Sequence, residues 1–568
     1  MPRRGFLKAA ALAATATAVS GPTGRAQPAP SGTAPGATSK KVPFRIVFSS
    51  DIHAIVDTES TYRKEGELFR PEMLEAAIDE TAGIGIDVHK MVPGFGWVPR
   101  WKSKSYPIEE HWKWYVGKFG EPKGKVREMQ MGYVQYALDG GDYTQLFINR
   151  CRAKGLSPFV SLRLNDEQGG EGPEGVCRFA EENPQFKLGL SGYTKGVEHL
   201  MNWIHPEVRR YKETYIDELA RYDLDGLELD FMRRPTYFRL DQTTRDDRVQ
   251  IMANFVRRAR KTLDKHSKPG KYRYLCVRIP CHLEDYDNLG IDLQTFAEAG
   301  VDVFNVSPSM ATQQQTDLAA IKKKVPNAAV FLEITDLSDK PVRGHFLRRP
   351  TDEEFYTAAH LAYSRGAQGL FTFNFWWFAG KLEYRKNRGM TLHKLPFHIF
   401  KNIRDPAWVA RQPQHYYLAR GYGGYEPKLD DTRNAYMMRH AKYKPQSPLP
   451  CRLETAGQWM QMIMDLAPPT GGWKGKGRLR LQGAASLAGR EFEMVIGRTP
   501  VVPGTKLQPS DDVSAPYPSR YTDAIGKPED HRAWVVPAEL LVDGENRFVL
   551  TLKRGEPVDI IRLDLAIG

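Results

Sequence analysis

The chain has 568 residues, of which 41% are hydrophobic and 26% charged. That length exceeds one typical domain several-fold, and that balance excludes a disordered or collagen-like chain. Its 81 Lys and Arg against 68 Asp and Glu give a charge of +13; the first 26 residues hold four of the basic ones (Arg3, Arg4, Lys8, Arg25) and no acid, which leaves 77 against 68, or +9. Such a charge permits an anionic partner, for instance an acidic polysaccharide. Nucleic acid would ask for a basic tract with interleaved aromatics or a known module, and neither is present.

Residues 1–26 resemble a twin-arginine signal peptide: Arg3-Arg4, then a mildly apolar run from Ala9 to Val19, then Ala26 as a cleavage position. The run is about half of the roughly 20 residues needed to span a bilayer. No cysteine follows it, which argues against a lipid anchor. Residues 27–41, rich in Pro, Gly, Ser and Ala, read as a disordered linker. The expectation is an exported protein, periplasmic or extracellular, with no stable membrane insertion.

From residue 42, short apolar runs alternate with helical patterns. The strands expected are Phe44–Phe48, Asp87–Val92, Ser157–Leu164, Gly226–Phe231, Tyr274–Pro280, Val303–Ser307, Ala329–Ile334 and Gly369–Phe373. Helices are expected at Pro71–Ala82, Tyr133–Ala153, Pro206–Arg221, Arg248–Asp264, Leu293–Ala299, Gln314–Lys324 and Asp352–Ser364. Strands that are apolar throughout belong to a parallel sheet covered on both faces. Eight of them over 42–405 predict an α/β fold, a (β/α)8 TIM barrel. A dinucleotide fold has no support, because Ser49-Ser50-Asp51-Ile52-His53 after the first strand is not a glycine-rich turn. Residues 445–568 predict a C-terminal β-sandwich, from Gly483–Val495, Arg520–Thr522, Trp534–Glu539 and the Asp543-Gly544 turn before an alternating strand. Residues 406–444, between barrel and sandwich, read as a connecting segment or the first strand of the sandwich.

A barrel of this kind works at the C-terminal ends of its strands. Side chains alternate along a strand, so on the fourth strand Glu228 and Asp230 share one face and Leu227, Leu229 and Phe231 the other. With the leucines toward the helices, both acids face the axis, and one needs a raised pKa or a cationic partner. Glu333 ends an apolar seventh strand, where an unpaired charge is expensive. Arg163, Asn165 and Asp166 follow from the third strand, Arg278 and His282 from the fifth, Asn305 and Ser307 from the sixth, and Asn374, Trp376 and Trp377 from the eighth. Asp51 and His53 end the first strand. The second leads into His89, Lys90 and Trp97, a basic aromatic wall. Arg and Asn fix hydroxyls, carboxylates or sulfates, and Trp stacks on the apolar face of a pyranose.

Asp225-Gly-Leu-Glu-Leu-Asp-Phe231 resembles the strand-four segment of several barrel glycoside hydrolase families, and Glu333 matches the strand-seven acid of another large group. The resemblance covers residues 42–400. It implies cleavage of a polysaccharide or oligosaccharide, with Glu333 as nucleophile, Asp230 as general acid/base and Glu228 tuning Asp230. The Asn-Glu pair that the second group carries after strand four is absent here. The terminal sandwich is similar to accessory β-domains of such enzymes.

Other chemistries fit less well. The opening Ser50-Asp51-Ile52-His53 imitates a metallophosphoesterase, but the further Asp, Asn and His that two metals need do not follow. No His-Glu-x-x-His motif and no Gly-x-Ser-x-Gly elbow occurs. Five cysteines (Cys151, Cys177, Cys276, Cys281, Cys451) form no C-x-x-C pair, against a disulfide scaffold or thiolate-held zinc. No cofactor is therefore expected, while a structural calcium stays open. The rival readings are a non-catalytic glycan-binding protein on a degenerate barrel, or a polysaccharide lyase.

Overall fold

The computed structural model describes residues 42–568 except 51–54, 56–61, 63–66, 68, 96, 125–133, 166–174, 191–198, 310, 339–347, 376–394, 420–448, 498–503 and 519–525. Eight parallel strands close into a barrel: β1 Ile46–Ser50, β2 Val88–Met91, β3 Ser157–Arg163, β4 Gly226–Asp230, β5 Tyr274–Pro280, β6 Val303–Ser307, β7 Ala329–Ile334 and β8 Gly369–Thr372. Each pairs with its sequence neighbours, and β8 closes onto β1. All eight expected strands are present; the first lies two residues later than expected at both ends, and the others match or are trimmed by one residue at one or both ends.

The barrel interior is layered. Phe44, Val47, Val88, Phe159, Cys276, Val303, Ala329, Phe331 and Phe371 pack its lower half. Two glycines make room for the rings: a Cβ on Gly226 would strike Phe159, and one on Gly369 would strike Phe331 and the Arg45 carbonyl. The outward residues of each strand join the larger core beneath the helices.

The main described helices are α1 Pro71–Asp79, α2 Ile108–Phe119, α3 Tyr143–Ala153, α4 Arg178–Glu182, α5 Pro206–Leu219, α6 Arg245–Lys265, α7 Leu293–Glu298, α8 Leu318–Lys324 and α9 Asp352–Ser364. Capping boxes start α6 (Thr244 with Asp247) and α9 (Thr351 with Glu354). The single helix expected over 133–153 is interrupted instead. Gly140 takes a left-handed φ of 88°, and the Asp142 carboxylate accepts from Gln145 N at 3.0 Å to begin α3. α2 adds to the expected helices and carries His111, Trp112 and Trp114. The helix expected from Gln314 begins only at Leu318. Among the described residues, no helix is long and apolar enough to cross a membrane.

Two antiparallel sheets complete the chain. The first contains β9 Gln414–Ala419, β10 Cys451–Leu453, β12 Lys476–Gly483, β15 Gln508–Ser510, β16 His531–Pro537 and β18 Val558–Ile567. The second contains β11 Trp459–Leu466, β13 Glu491–Gly497, β14 Thr505–Lys506 and β17 Gly544–Arg554. Their apolar faces share one core, including Met462, Leu479, Trp534, Phe548 and Leu563, which makes the sandwich. The run Gly483–Val495 is not one strand: it spans the end of β12, a turn and most of β13. β17 starts at the Asp543-Gly544 turn, as expected. β9 lies within 406–444 and pairs with the terminal strand β18. Arg520–Thr522 and residues 1–41 lie outside the described residues.

Candidate active site

Above the apolar layer, the inward positions turn polar. They are Lys90 on β2, Ser161 and Arg163 on β3, Glu228 and Asp230 on β4, Arg278 on β5, Asn305 and Ser307 on β6, and Glu333 on β7; all nine are at most 2% exposed. Strand pairing sets Arg163 beside Asp230, Asp230 beside Arg278, and Arg278 beside Asn305. Three carboxylates thus face three cations. Buried charges are tolerated only when paired and hydrogen-bonded; Lys90 pairs with Glu228, and Arg278 with both Asp230 and Glu333.

Arg278 is the hub. Its Nε donates to Glu333 Oε2 and its Nη2 to Glu333 Oε1, both at 2.7 Å. Its Nη1 reaches Asp230 Oδ2 at 3.1 Å and Oδ1 at 3.3 Å. The guanidinium lies over the Phe373 ring, 3.9 Å from the centroid. Burial alone would favour its neutral form, but Asp230 and Glu333 overrule that and push its pKa above the ordinary arginine value.

Glu333 also accepts from Ser307 Oγ at 2.6 Å and Asn305 Nδ2 at 3.1 Å, so its two oxygens carry four donors. Asp230 Oδ1 accepts from the Met232 amide at 2.8 Å and the Arg233 amide at 3.3 Å. Among the described residues its Oδ2 receives only Arg278 and keeps acceptor capacity. Glu228 lies deeper. It accepts from Lys90 Nζ at 2.5 Å, Ser161 Oγ at 2.7 Å and Asn305 Nδ2 at 3.0 Å. Its hydrogen bonds therefore lead through Asn305 to Glu333, with none directly to Asp230. Burial pushes the neighbouring Cys276 thiol up, with Glu228 adding to it, so this cysteine stays protonated and unreactive.

Other expected contacts fall elsewhere. His89 is turned out of the barrel, because Lys90 takes the inward position beside it. Its Nδ1 lies 3.0 Å from Thr81 Oγ1 and its ring meets Phe147 of α3, and full burial lowers its pKa to about 3. Asn165 spends its amide on backbone: Nδ2 donates to Met201 O at 3.0 Å and Thr236 O at 2.6 Å, and Oδ1 accepts from Met201 N at 3.2 Å. Trp97 is buried in the wall after β2, stacked near Phe179 with Lys212 Nζ over it at 4.0 Å, and it borders a cavity of about 290 Å³ under α2 rather than the carboxylate centre. His282 follows β5 with Nδ1 3.6 Å from Asp317. Asn374 follows β8. Asp51, His53, Asp166, Trp376 and Trp377 lie outside the described residues.

Ser161 and Phe373 are site residues that the sequence pattern alone did not single out. Both continue an inward alternation visible in the chain, Phe159-Ser161-Arg163 and Phe371-Phe373. A second feature has no local signal. Among the described residues, the non-glycine residues with left-handed φ are Arg234 (48°), Ser309 (70°) and Asn374 (53°). Each follows the C-terminal end of a barrel strand, β4, β6 or β8. Strained backbone gathers where function holds it in place.

The sandwich reaches this end of the barrel. Tyr417 of β9 donates its hydroxyl to Thr312 O at 2.6 Å. Thr312 Oγ1 donates to Thr335 O at 2.7 Å and accepts from Thr335 N at 2.8 Å, two residues beyond Glu333. Gln314 bonds the Tyr417 amide and the His415 carbonyl.

Fold and side chains together define an eight-stranded parallel barrel with a buried, charge-balanced carboxylate centre near the C-terminal strand ends. No protein-family model and no curated protein matches the chain. Among solved structures it is similar to alpha-L-fucosidase isoenzyme 2 from Paenibacillus thiaminolyticus, at 12% identity and TM-score 0.39, over 64% of this chain and 49% of that one. It is similar to TtGalA, an alpha-galactosidase from Thermus thermophilus, at 13% identity and TM-score 0.32, over 68% and 65%. It is also similar to a 2,3-dimethylmalate lyase, at 11% identity and TM-score 0.27, over 63% and 88%. The chain spans about half the length of the first. Likeness this distant carries no functional information, so the chemistry has to be read from the side chains.

Proposed function

We propose that the chain is an exported glycoside hydrolase that cuts an oligosaccharide or polysaccharide at the C-terminal end of the barrel, with Asp230 and Glu333 as its working carboxylates. The observation that carries this is the single Arg278 guanidinium bonded to both acids.

Glycoside hydrolysis needs two carboxyl groups, one to attack or activate water and one to move the proton. Glu333 is oriented by a two-point guanidinium fork, and only the rotatable Ser307 hydroxyl must turn aside to free Oε1 for attack. Asp230 Oδ2 has the open lone pair to carry the proton. Arg278 couples them. When Glu333 becomes an ester it loses its charge, and the guanidinium is left with Asp230, the group that the second half-reaction needs as its base. One guanidinium bonding both acids holds them close. That favours retention, where about 5–5.5 Å separates the carboxyls, over inversion, which must fit a water between them. The charge of +9 outside the leader fits an anionic glycan, uronic or sulfated.

One observation favours the rival reading of a non-catalytic glycan-binding barrel: among the described residues all three carboxylates of the centre are bonded to a buried cation, as in a structural network. Product release from neutral, uronic and sulfated glycans separates the two. A hydrolase liberates new reducing ends, and early NMR spectra show the anomeric configuration retained. Glycan binding without release would favour the rival, and unsaturated product ends would indicate a lyase.

A further inference from the structure

The cavity beside Trp97 is a concave site apart from the carboxylate centre: none of the nine polar barrel residues lines it. It lies between the segment after β2, the start of α2 and α4, and holds about 290 Å³. Small-molecule sites begin at about 300 Å³, so the space suits one ring-sized ligand and not an extended chain. One wall is aromatic. Tyr211 of α5 stands at its middle, with ring centroids of Tyr106 at 4.3 Å, Phe179 at 4.4 Å and Trp97 at 5.5 Å. Tyr106 and Phe179 are only half-buried and give the wall its open rings. The wall is fixed from behind, where the Tyr211 and Tyr215 hydroxyls donate to the Trp97 carbonyl at 3.1 and 2.5 Å. Lys118 of α2 donates to Glu181 of α4 at 3.0 Å and ties the two helices together.

The mouth is polar. Glu110, Arg178 and Glu182 line the cavity and are exposed. Arg178 gives its Nε to Glu182 Oε1 at 2.9 Å; among the described residues both its Nη groups remain donors and Glu182 Oε2 remains an acceptor. This combination selects the ligand. Two carboxylates against one guanidinium turn away an anion. An organic cation would suit the rings, but Arg178 stands at the entrance and already answers Glu182. A purely apolar guest would make no use of donors and acceptors set side by side. A pyranose meets both parts: its C–H groups form an apolar face for the rings, and its hydroxyls both donate and accept.

We propose that this cavity binds one neutral pyranose unit, either a free monosaccharide or the end of a glycan chain. The sugar ring lies against Tyr106 and Phe179, and its hydroxyls meet Arg178, Glu182 and Glu110. The site is independent of hydrolysis and stands whether or not Asp230 and Glu333 cleave a glycosidic bond.

The test titrates the full-length protein calorimetrically with the methyl pyranosides of glucose, galactose, mannose, xylose and fucose and with the matching disaccharides. Crystals are then soaked in the tightest binder. Density for one ring against Tyr106 and Phe179, within hydrogen-bonding reach of Arg178, is the expected result. Equal affinity for methyl pyranoside and disaccharide marks a monosaccharide site, and tighter disaccharide binding marks a chain end. The double variant Arg178→Ala/Glu182→Ala changes only exposed side chains; it should weaken this binding about tenfold or more and leave the initial rate of glycan hydrolysis unchanged. If the wild type releases no product, the reading of Asp230 and Glu333 fails while the density in the cavity still decides this one. An empty cavity in the soaks, density without saturable binding in solution (binding at crystal concentration only), or wild-type affinity in the double variant would overturn the proposal.

Discussion

Arg278 and Glu333 meet fork to fork at 2.7 Å on both arms, fully buried on the barrel axis. This pairing makes Arg278 a stability determinant as well as a neighbour of both proposed catalytic acids. Arg278→Met strands Glu333 and Asp230 without their cation and should cost about 3–5 kcal/mol. Arg278→Lys keeps the charge, loses the fork and should cost less, about 1.5–3 kcal/mol. Urea denaturation of both variants checks the order. Equal losses would show that the fork geometry, and not the charge, is what matters there.

Glu228 and Lys90 form a second buried pair, at 2.5 Å. Glu228→Gln leaves the buried ammonium without its carboxylate and should destabilise by about 3–5 kcal/mol. The double variant Glu228→Leu/Lys90→Met removes both charges and should recover at least half of that loss. A double variant no better than the single would mean that the pair contributes net stability.

His89 gives the fold a pH dependence of known sign. Its folded pKa is about 3, against an ordinary 6.5. As pH falls below 6.5 the unfolded chain takes up a proton that the folded one refuses. Stability is therefore lost between pH 6.5 and 3, at up to about 1.4 kcal/mol per pH unit from this group. His89→Phe should flatten that part of the stability–pH curve while leaving the neutral-pH rate unchanged, since the ring faces the helices. A rate loss in this variant with the fold intact would return His89 to the site.

The hydrogen-bond path from Tyr417 through Thr312 to Thr335 ties the sandwich to the segment beyond Glu333. Tyr417→Phe leaves a buried carbonyl short of a donor and should cost about 1–3 kcal/mol. If the path positions Glu333, kcat falls about tenfold with KM unchanged, because misplacement of a reacting group acts on the chemical step. A loss of Tm with kcat preserved would assign Tyr417 a purely structural part.

The barrel is legible in the sequence because parallel strands buried on both faces are continuous apolar runs, and a charge inside one stands out. Glu228, Asp230, Arg278, Asn305 and Glu333 all stand out in this way. His89 does not, because alternation fixes sides only once one inward residue is known, and His89 and Lys90 stand side by side on one strand as two polar candidates. Asn165 and Trp97 show another limit: amides and aromatics at strand ends serve backbone and packing as readily as ligands. The interruption before α3 is written in Gly140-Gly141-Asp142, a turn and cap inside a helical pattern. The path from Tyr417 and the cavity wall of Trp97, Phe179 and Tyr211 join segments far apart in sequence, where no local pattern signals contact.

The central claim is that Asp230 and Glu333 carry out hydrolysis. Its most direct test is the initial rate of reducing-end release by wild type, Asp230→Asn and Glu333→Gln on the best glycan of the panel, with circular dichroism confirming each fold. The account predicts at least a thousandfold loss in both variants, with glycan binding retained. Folded variants that cleave at the wild-type rate would contradict it and place the reacting acids elsewhere.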